Sequence, residues 1–223
     1  MFVPHILSHK RPSHETLLIA ALGVKLIRNM NFMKLEDQIK KLREIGLTLN
    51  KGVTVNDLLL SFSREEFEET PFDLILFAYG SEIEEKPWGR YFCDRAWNFD
   101  VEAIEDNGSY VEIVKQFHRI TGKSKRIEGL QDRVDIEGSH AYLQYTLDGV
   151  ERTFQPVVDS DWADPQVIES IMDDLRESDH NFYPKDNGQA SVWFYLTKSE
   201  ANKLNSLANN VFGLDSKAWW KFW

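Results

Sequence analysis

The chain has 223 residues and a formal net charge of −10, and 42% of its residues are hydrophobic. A chain of this size and composition forms one large domain, or one domain with a small appendage, and needs no disulfide or metal to stabilise it. The excess of acid argues against a general nucleic-acid binder, which needs a basic face, but it leaves open a cationic protein partner.

Residues 1–32 differ from the rest of the chain. Their apolar run, Leu17–Val24, is far shorter than the roughly 20 residues that cross a bilayer. No small-residue cleavage site of a signal peptide follows it. We therefore expect no membrane association, and we expect this segment to be an extension upstream of a natural start at Met30 or Met33. Residues 33–223 are then predicted to form a single domain.

Helical patterns fill the N-terminal third of that domain. Apolar residues recur on one face of Leu35–Ile45, and Gly46 ends the predicted helix. Thr54 or Asn56 is the expected cap of a second short helix, Val55–Phe62. The pattern in this part of the chain thus predicts amphipathic helices rather than strands.

The next signals mix helix and strand. A capping box over residues 63–66 begins a third helical segment. The apolar run Phe72–Tyr79 fits either a buried strand or a short core helix, because periodicity does not separate the two. Tyr91–Asp100 is expected to contain a strand. Ser109 is the expected cap of a helix over Tyr110–Thr121.

A hairpin is the clearest signal in the sequence. Asp148 and Gly149 lie between two alternating runs, and both residue types tolerate the positive φ of a type I′ turn. That turn puts apolar side chains on one face of the ribbon and polar ones on the other. Ile127–Ile136 is expected to join the same sheet. The predicted cross-strand pairs are Leu147–Val150, Thr146–Glu151, Tyr145–Arg152, Gln144–Thr153, Leu143–Phe154, Tyr142–Gln155 and Ala141–Pro156.

The remaining elements alternate helix, strand and helix. Asp164 followed by Pro165 predicts a helix start, because proline at the first helical position loses no hydrogen bond. Residues 187–188 predict a turn into a strand over Gln189–Leu196. A capping box over residues 197–200 begins the last helix. The fold class is therefore α+β, with an antiparallel sheet packed by amphipathic helices.

Two acidic runs are the first candidates for a functional surface. A solvated surface is the default interpretation of such runs. If they converge in space, they form a negative patch suited to a basic partner. Catalytic use of one pair is a third alternative, although nothing singles out a buried carboxylate. The residues concerned are Glu65, Glu66, Glu68, Glu69, Glu82, Glu84 and Glu85.

Tryptophans are the second set of candidates. Trp162, between two acids, is either a core anchor for the helix that follows or a surface recognition residue. Trp219, Trp220 and Trp223 crowd the end of the chain, where so much apolar surface is not left in water. This tail either folds back onto its own domain or forms part of a partner or homo-oligomer surface.

Familiar catalytic and ligand motifs do not occur in the sequence. There is no HExxH, CxxC, GxSxG, GxxxxGK[ST] or GxGxxG, so neither a metal nor a cofactor is expected. The lone cysteine, Cys93, excludes an intramolecular disulfide and fits a reducing, cytoplasmic compartment. The segment that begins at Asp159 fails the EF-hand pattern at its fifth, sixth and twelfth positions, so its acids are interpreted as a helix cap and solvated carboxylates, with an unclassified cation site as the alternative. The enzyme alternative is a hydrolase that uses Asp135, Asp159 or Asp161 in a cleft formed only by the fold.

A resemblance adds to these patterns. The acidic α+β body, the Asp-Trp-Ala-Asp-Pro passage between a strand and a helix, and the Asn-Gly-Gln-Ala strand start resemble small bacterial proteins of the toxin-immunity type. The resemblance covers roughly residues 33–212 and assigns no binding residues. It implies an intracellular, non-enzymatic protein that neutralises a cationic partner such as a toxin domain.

Overall fold

The computed structural model describes residues 32–188 and 190–212, which form seven helices and two three-stranded antiparallel sheets. The predicted α+β class is therefore confirmed. The helices are α1 (Leu35–Glu44), α2 (Val55–Leu58), α3 (Arg64–Glu69), α4 (Asp73–Tyr79), α5 (Ser109–Ile120), α6 (Pro165–Leu175) and α7 (Lys198–Leu207). The strands are β1 (Ala96–Asp100), β2 (Ile127–Asp135), β3 (His140–Leu147), β4 (Val150–Phe154), β5 (His180–Asn187) and β6 (Ala190–Thr197).

Helix starts follow the predicted caps in most cases. The Ser63 hydroxyl accepts from the Glu66 N–H at 3.3 Å at the start of α3. The Asp164 carboxylate accepts from the Gln166 N–H at 2.9 Å at the start of α6. Thr54, rather than Asn56, precedes α2, which is shorter than predicted and ends at Leu58. The undecided apolar run at 72–79 forms the helix α4.

The predicted hairpin is confirmed in its turn and in its register. Asp148 and Gly149 have φ values of 49° and 84°, and the five inner predicted pairs form between β3 and β4. β4 ends at Phe154, so the predicted outer pairs with Gln155 and Pro156 do not form. Leu143, Tyr145 and Leu147 are buried, as the apolar face of the ribbon requires.

The predicted cap of α5 is wrong, because the residue that caps this helix comes from another element. Ser109 is the first helical residue, and its hydroxyl accepts from the backbone N–H groups of the preceding loop. The Asp132 carboxylate, on β2, accepts from the N–H groups of Gly108 at 2.6 Å and Val111 at 3.0 Å. It thereby satisfies donors that a helix start leaves unpaired, and it places a negative charge at the positive end of the helix.

The strands divide into two sheets, where a single sheet was expected. The order β2–β3–β4 forms one sheet, and β1–β6–β5 forms the other. β5 was not predicted from the sequence, because its pattern is polar and Pro184 interrupts it. A proline is tolerated at the edge of a sheet, and β5 is an edge strand.

β6 lies at the centre of the molecule and is buried on both faces. Val192, Phe194 and Leu196 pack into a first core with α1, α4 and α7. Trp193 and Tyr195 face the opposite way, into a second core with α5, α6 and the other sheet. One strand therefore joins the two halves, and the segment before β1 lies at their boundary.

In the part of the chain that the structure describes, no helix is both long enough and apolar enough to span a bilayer.

Candidate functional site

A pocket of about 550 Å³ lies where the loop after α4 meets β1 and α5. Three carboxylates and three aromatic rings are among the side chains that line it. We call it the acidic–aromatic pocket and define it by Glu82, Glu84, Glu112, Trp88, Tyr91 and Trp97.

The loop that forms one wall is closed by its own backbone. The Ile83 N–H donates to the Arg90 carbonyl at 2.7 Å, and the Phe92 N–H donates to the Ser81 carbonyl at 3.2 Å. Ile83 is buried in the first core and anchors the loop, whereas Trp88 near the tip is 63% exposed. The loop thus presents a large aromatic side chain to solvent from a fixed base.

Gly80 allows the end of α4 to approach β1 closely, and this contact forms the floor of the pocket. Its carbonyl accepts from the Asn98 N–H at 2.8 Å. A Cβ at position 80 would lie 2.6 Å from the Val192 side chain and 2.8 Å from the Asn98 nitrogen. Any other residue would therefore push the end of α4 away from β1. Asn98 also lines the pocket, and its Oδ1 is buried with no hydrogen-bond partner among the described residues.

Two of the three carboxylates are held by neighbouring donors. Glu82 accepts from the Gly89 N–H at 2.5 Å, which fixes it across the loop. Glu112, on α5, accepts from the side-chain amide of Gln116 at 2.6 Å. Glu84 is exposed. The pocket therefore combines two carboxylates that accept hydrogen bonds with one that extends into solvent.

The structure divides the predicted acidic residues between two places. Glu82 and Glu84 line the pocket, and Glu85 is exposed in the same loop. Glu65 and Glu69 are exposed on α3 and do not line it. Only the second acidic run therefore contributes to the pocket.

Two acids of the first acidic run form contacts that stabilise the fold. The Glu66 carboxylate accepts from the Ser63 N–H at 2.7 Å, and this bond lowers the pKa of Glu66. Glu68 is buried, accepts from the Leu35 N–H at 2.9 Å and lies 3.4 Å from Arg64. Both carboxylates thus have intramolecular donors.

Sequence reasoning missed several of the residues that complete the pocket. Glu112 stands alone in a helical pattern, so no acidic run marked it. Trp97 lies on β1 and stacks on Phe99 with ring centroids 4.9 Å apart. Trp88 could have been found, because it follows the acidic run and Pro87 in a segment without apolar periodicity.

The predicted tryptophan candidates fall elsewhere. Trp162 is half-buried against the second core, and it forms short backbone bridges with Asp159 and Glu102. This position fits a core anchor, the first of its two interpretations. Trp219, Trp220 and Trp223 lie outside the described residues, as does the predicted N-terminal extension apart from Phe32.

The carboxylates named for a hydrolase do not line the acidic–aromatic pocket. Asp135 is exposed and accepts from the Gly138 N–H at 2.8 Å, so it closes a turn. Asp159 is exposed and Asp161 is half-buried. Within residues 32–188 and 190–212, no group of three or more His, Cys, Asp or Glu residues is arranged to hold a metal ion.

The comparisons with known proteins indicate no function, so the proposal below depends on the geometry of the site. No protein-family model matches the sequence, and searches of curated proteins and of solved structures found no match. Fold and site together define an α+β protein with a pocket rich in hydrogen-bond acceptors and aromatic rings.

Proposed function

We propose that this chain is a non-enzymatic binding protein whose acidic–aromatic pocket receives a cationic side chain of a protein partner. The observation that carries the proposal is the meeting of three carboxylates and three aromatic rings in one pocket. The buried Asn98 oxygen, which has no hydrogen-bond partner within the described ranges, adds a further acceptor beside them. A lysine or arginine supplies the positive charge and the N–H donors that complement these carboxylates.

The aromatic rings support the choice of a cation over a neutral donor. A cation above the face of a tryptophan or tyrosine gains about 0.5–2 kcal/mol, most where water is excluded. Exposed tryptophans are also the residues that most often dominate the free energy of protein binding. Trp88 is well placed for this role, because Glu82 and Glu84 precede it in the same loop.

The overall charge supports a protein partner rather than a small cation alone. A net charge of −10 attracts a basic protein from a distance and speeds its encounter. The resemblance to toxin-immunity proteins fits this class of partner, and a cationic toxin domain is the partner we favour. The protein would then act inside the cell that makes it, and its function would need no catalysis.

The test is a titration with a lysine- and arginine-rich peptide, followed through the tryptophan indole N–H signals in ¹⁵N-labelled protein. We expect the signals of Trp88 and Trp97 to shift with saturation. Trp88→Ala should weaken binding at least about tenfold. Glu84→Gln should weaken it by about threefold, the range of an exposed charge pair.

Glu65→Gln is the matched control, because it removes the same charge from an exposed acid outside the pocket. It should leave the affinity unchanged. A peptide in which lysine is the only cationic residue should bind, and the same peptide with acetylated lysines, which have lost their charge, should bind poorly. Equal effects of Glu65→Gln and Glu84→Gln would mean that the peptide responds only to net charge, and the proposal would fail.

A further inference from the structure

A second cleft, of about 460 Å³, shares Tyr91 with the acidic–aromatic pocket but carries the opposite charge. It lies between the turn at residues 50–53, the end of the loop that follows α4 and the C-terminal end of α5. We call it the basic cleft and define it by Lys51, Arg90, Tyr91, Asp94, Arg119 and Lys123. Four cations thus face one carboxylate in a chain that has ten more acids than bases.

Arg119 brings a charge into the protein without a close counterion. Only 14% of its side chain is exposed, and Asp94, 3.9 Å away, is its only carboxylate neighbour within 4.0 Å in the described residues. Its guanidinium lies 3.7 Å from the centre of the Tyr91 ring. It donates to the carbonyls of Cys93 and Ala96, at 3.3 Å and 3.0 Å. Burial lowers the pKa of Arg119, which is the sign of a charge with too little compensation.

Asp94 does not act as a close counterion for Arg119. Its side chain is 70% exposed, and its Oδ1 already accepts from the Asn50 amide at 2.7 Å. A carboxylate that is largely in water contributes little to a pair at this distance.

The other cations of the cleft divide into one that is paired and two that are not. Arg90 lies 3.4 Å from Asp57 and donates to the carbonyl of Pro87 at 3.2 Å, so these contacts stabilise the loop that follows α4. Lys51 and Lys123 are exposed, and neither pairs with a carboxylate in the part of the chain that the structure describes. These two lysines and Arg119 line the same cleft, where a bound anion would reduce the repulsion between their like charges.

We propose that the basic cleft binds a small phosphorylated anion. Arginine and lysine together are the usual side chains for phosphate, arginine through its planar donors and lysine as a point charge. Arg119 has five N–H groups and uses three of them within the protein, so donors remain for a ligand. The volume exceeds that of phosphate itself and admits a phosphate ester or a pyrophosphate.

The test uses pyrophosphate as the probe, with the ionic strength held constant by chloride because simple screening also changes surface charge effects. Binding is followed in the full chain through the Arg119 Nε–H signal and the backbone N–H signals of Gly122 and Lys123. We expect saturable shifts at these groups. The double variant Lys51→Ala/Lys123→Ala should weaken binding about tenfold, which corresponds to 1.4 kcal/mol.

The matched control is Lys41→Ala/Lys115→Ala, which removes two exposed lysines outside the cleft. It should leave the affinity unchanged. Absence of a saturable shift in the wild-type chain would overturn the proposal, as would equal losses in the two double variants. Equal affinity for citrate and pyrophosphate would overturn the assignment to phosphoryl groups. Glu84→Gln should not change pyrophosphate binding, so the two sites can fail independently.

Discussion

Arg95 lies in the short segment that leads into β1, and Arg119 donates to the Cys93 and Ala96 carbonyls on either side of it, but the two charges are balanced differently. Arg95 makes two bonds of 2.8 Å to the Glu200 carboxylate, whereas Arg119 lies 3.9 Å from an exposed Asp94. The bond to Glu200 raises the pKa of Arg95, and burial lowers that of Arg119. The fold neutralises the first arginine internally and leaves the second beside an open cleft.

This difference separates a structural charge from one that is available to a ligand. A bidentate pair inside a protein fixes the elements that carry it and leaves little for a partner. Arg95 joins the end of α1, through the Gly46 carbonyl, to the start of α7, through Glu200. Arg119 makes no such closed pair, and its loop neighbours supply more positive charge instead. Variants that weaken each arginine should therefore give different results.

The largest expected effect is that of Arg95→Met. This change removes the arginine donors of the half-buried Glu200 carboxylate, which keeps only its bonds from Thr197, and it removes one donor to the Tyr195 carbonyl. We expect the free energy of unfolding to fall by about 3 kcal/mol, as when one partner of a buried pair is removed. Urea unfolding measures this loss. Arg43→Met, at an exposed position, is the control and should change stability by no more than about 0.5 kcal/mol. A similarly small loss for Arg95→Met would contradict the pairing.

The second prediction concerns acid. The hydrogen bond from Arg95 lowers the pKa of Glu200 from an ordinary value of 4.5 to about 2. A carboxyl with a depressed pKa stabilises the fold above its unfolded-state pKa and loses that contribution as the pH falls through its folded-state pKa. Glu200→Gln keeps an acceptor for the Thr197 N–H but abolishes this titration.

The stability gap between wild type and Glu200→Gln should therefore be constant near neutrality and shrink between about pH 4.5 and pH 2. Thermal or urea unfolding across this range measures it. A gap that stayed the same at acid pH would show that the charge of Glu200 contributes nothing.

The sequence predicts one member of the Arg95 pair but not the other. The capping box at residues 197–200 places Glu200 in the first turn of α7, and the structure confirms that bond. The partner lies 105 residues earlier, and nothing in its local pattern points to Glu200. The same limit explains the wrong cap of α5, because its capping carboxylate, Asp132, comes from another element. Local signals specify helix starts and the 148–149 turn, whereas long-range partners depend on the packing of the fold.

The candidate sites show the same division. Glu82 and Glu84 were predicted as candidates because they form a run in the sequence, and they line the pocket. Glu112 and Trp97 come from different elements, so no spacing joined them to that run. The cations of the basic cleft are spread over residues 51–123, and no sequence pattern connects them.

The third prediction is that Arg119→Met costs less than Arg95→Met. The change loses two bonds to backbone carbonyls and one to the Gln116 side chain, but it also removes a charge that burial disfavours. Each lost hydrogen bond costs about 0.5–1.5 kcal/mol, and relief of the desolvation penalty of the guanidinium offsets part of that cost, so we expect a net loss of about 1 kcal/mol. Stabilisation by pyrophosphate, measured as a rise in the melting temperature, should disappear in this variant. A loss as large as that of Arg95→Met would mean that Arg119 is structural.

The smallest effect on stability is expected at Tyr91, the residue that both sites share. Its hydroxyl accepts from the Gln116 amide at 2.5 Å, and its ring lies under the Arg119 guanidinium. Tyr91→Phe removes the hydroxyl and keeps the ring, so it should cost about 0.5–1 kcal/mol, the worth of one hydrogen bond. Pyrophosphate and the cationic peptide should both bind this variant as they bind wild type.

Tyr91→Leu removes the ring as well and supplies the contrast. Arg119 then loses its cation–π contact, and one aromatic wall of the acidic–aromatic pocket is lost. We expect this variant to weaken both ligands, with a changed Arg119 Nε–H signal in the free protein. If Tyr91→Leu weakened only one ligand, the ring would serve that site alone. Equal losses in the Phe and Leu variants would assign the effect to the hydroxyl, and the stacking of Arg119 on Tyr91 would then have no part in either site.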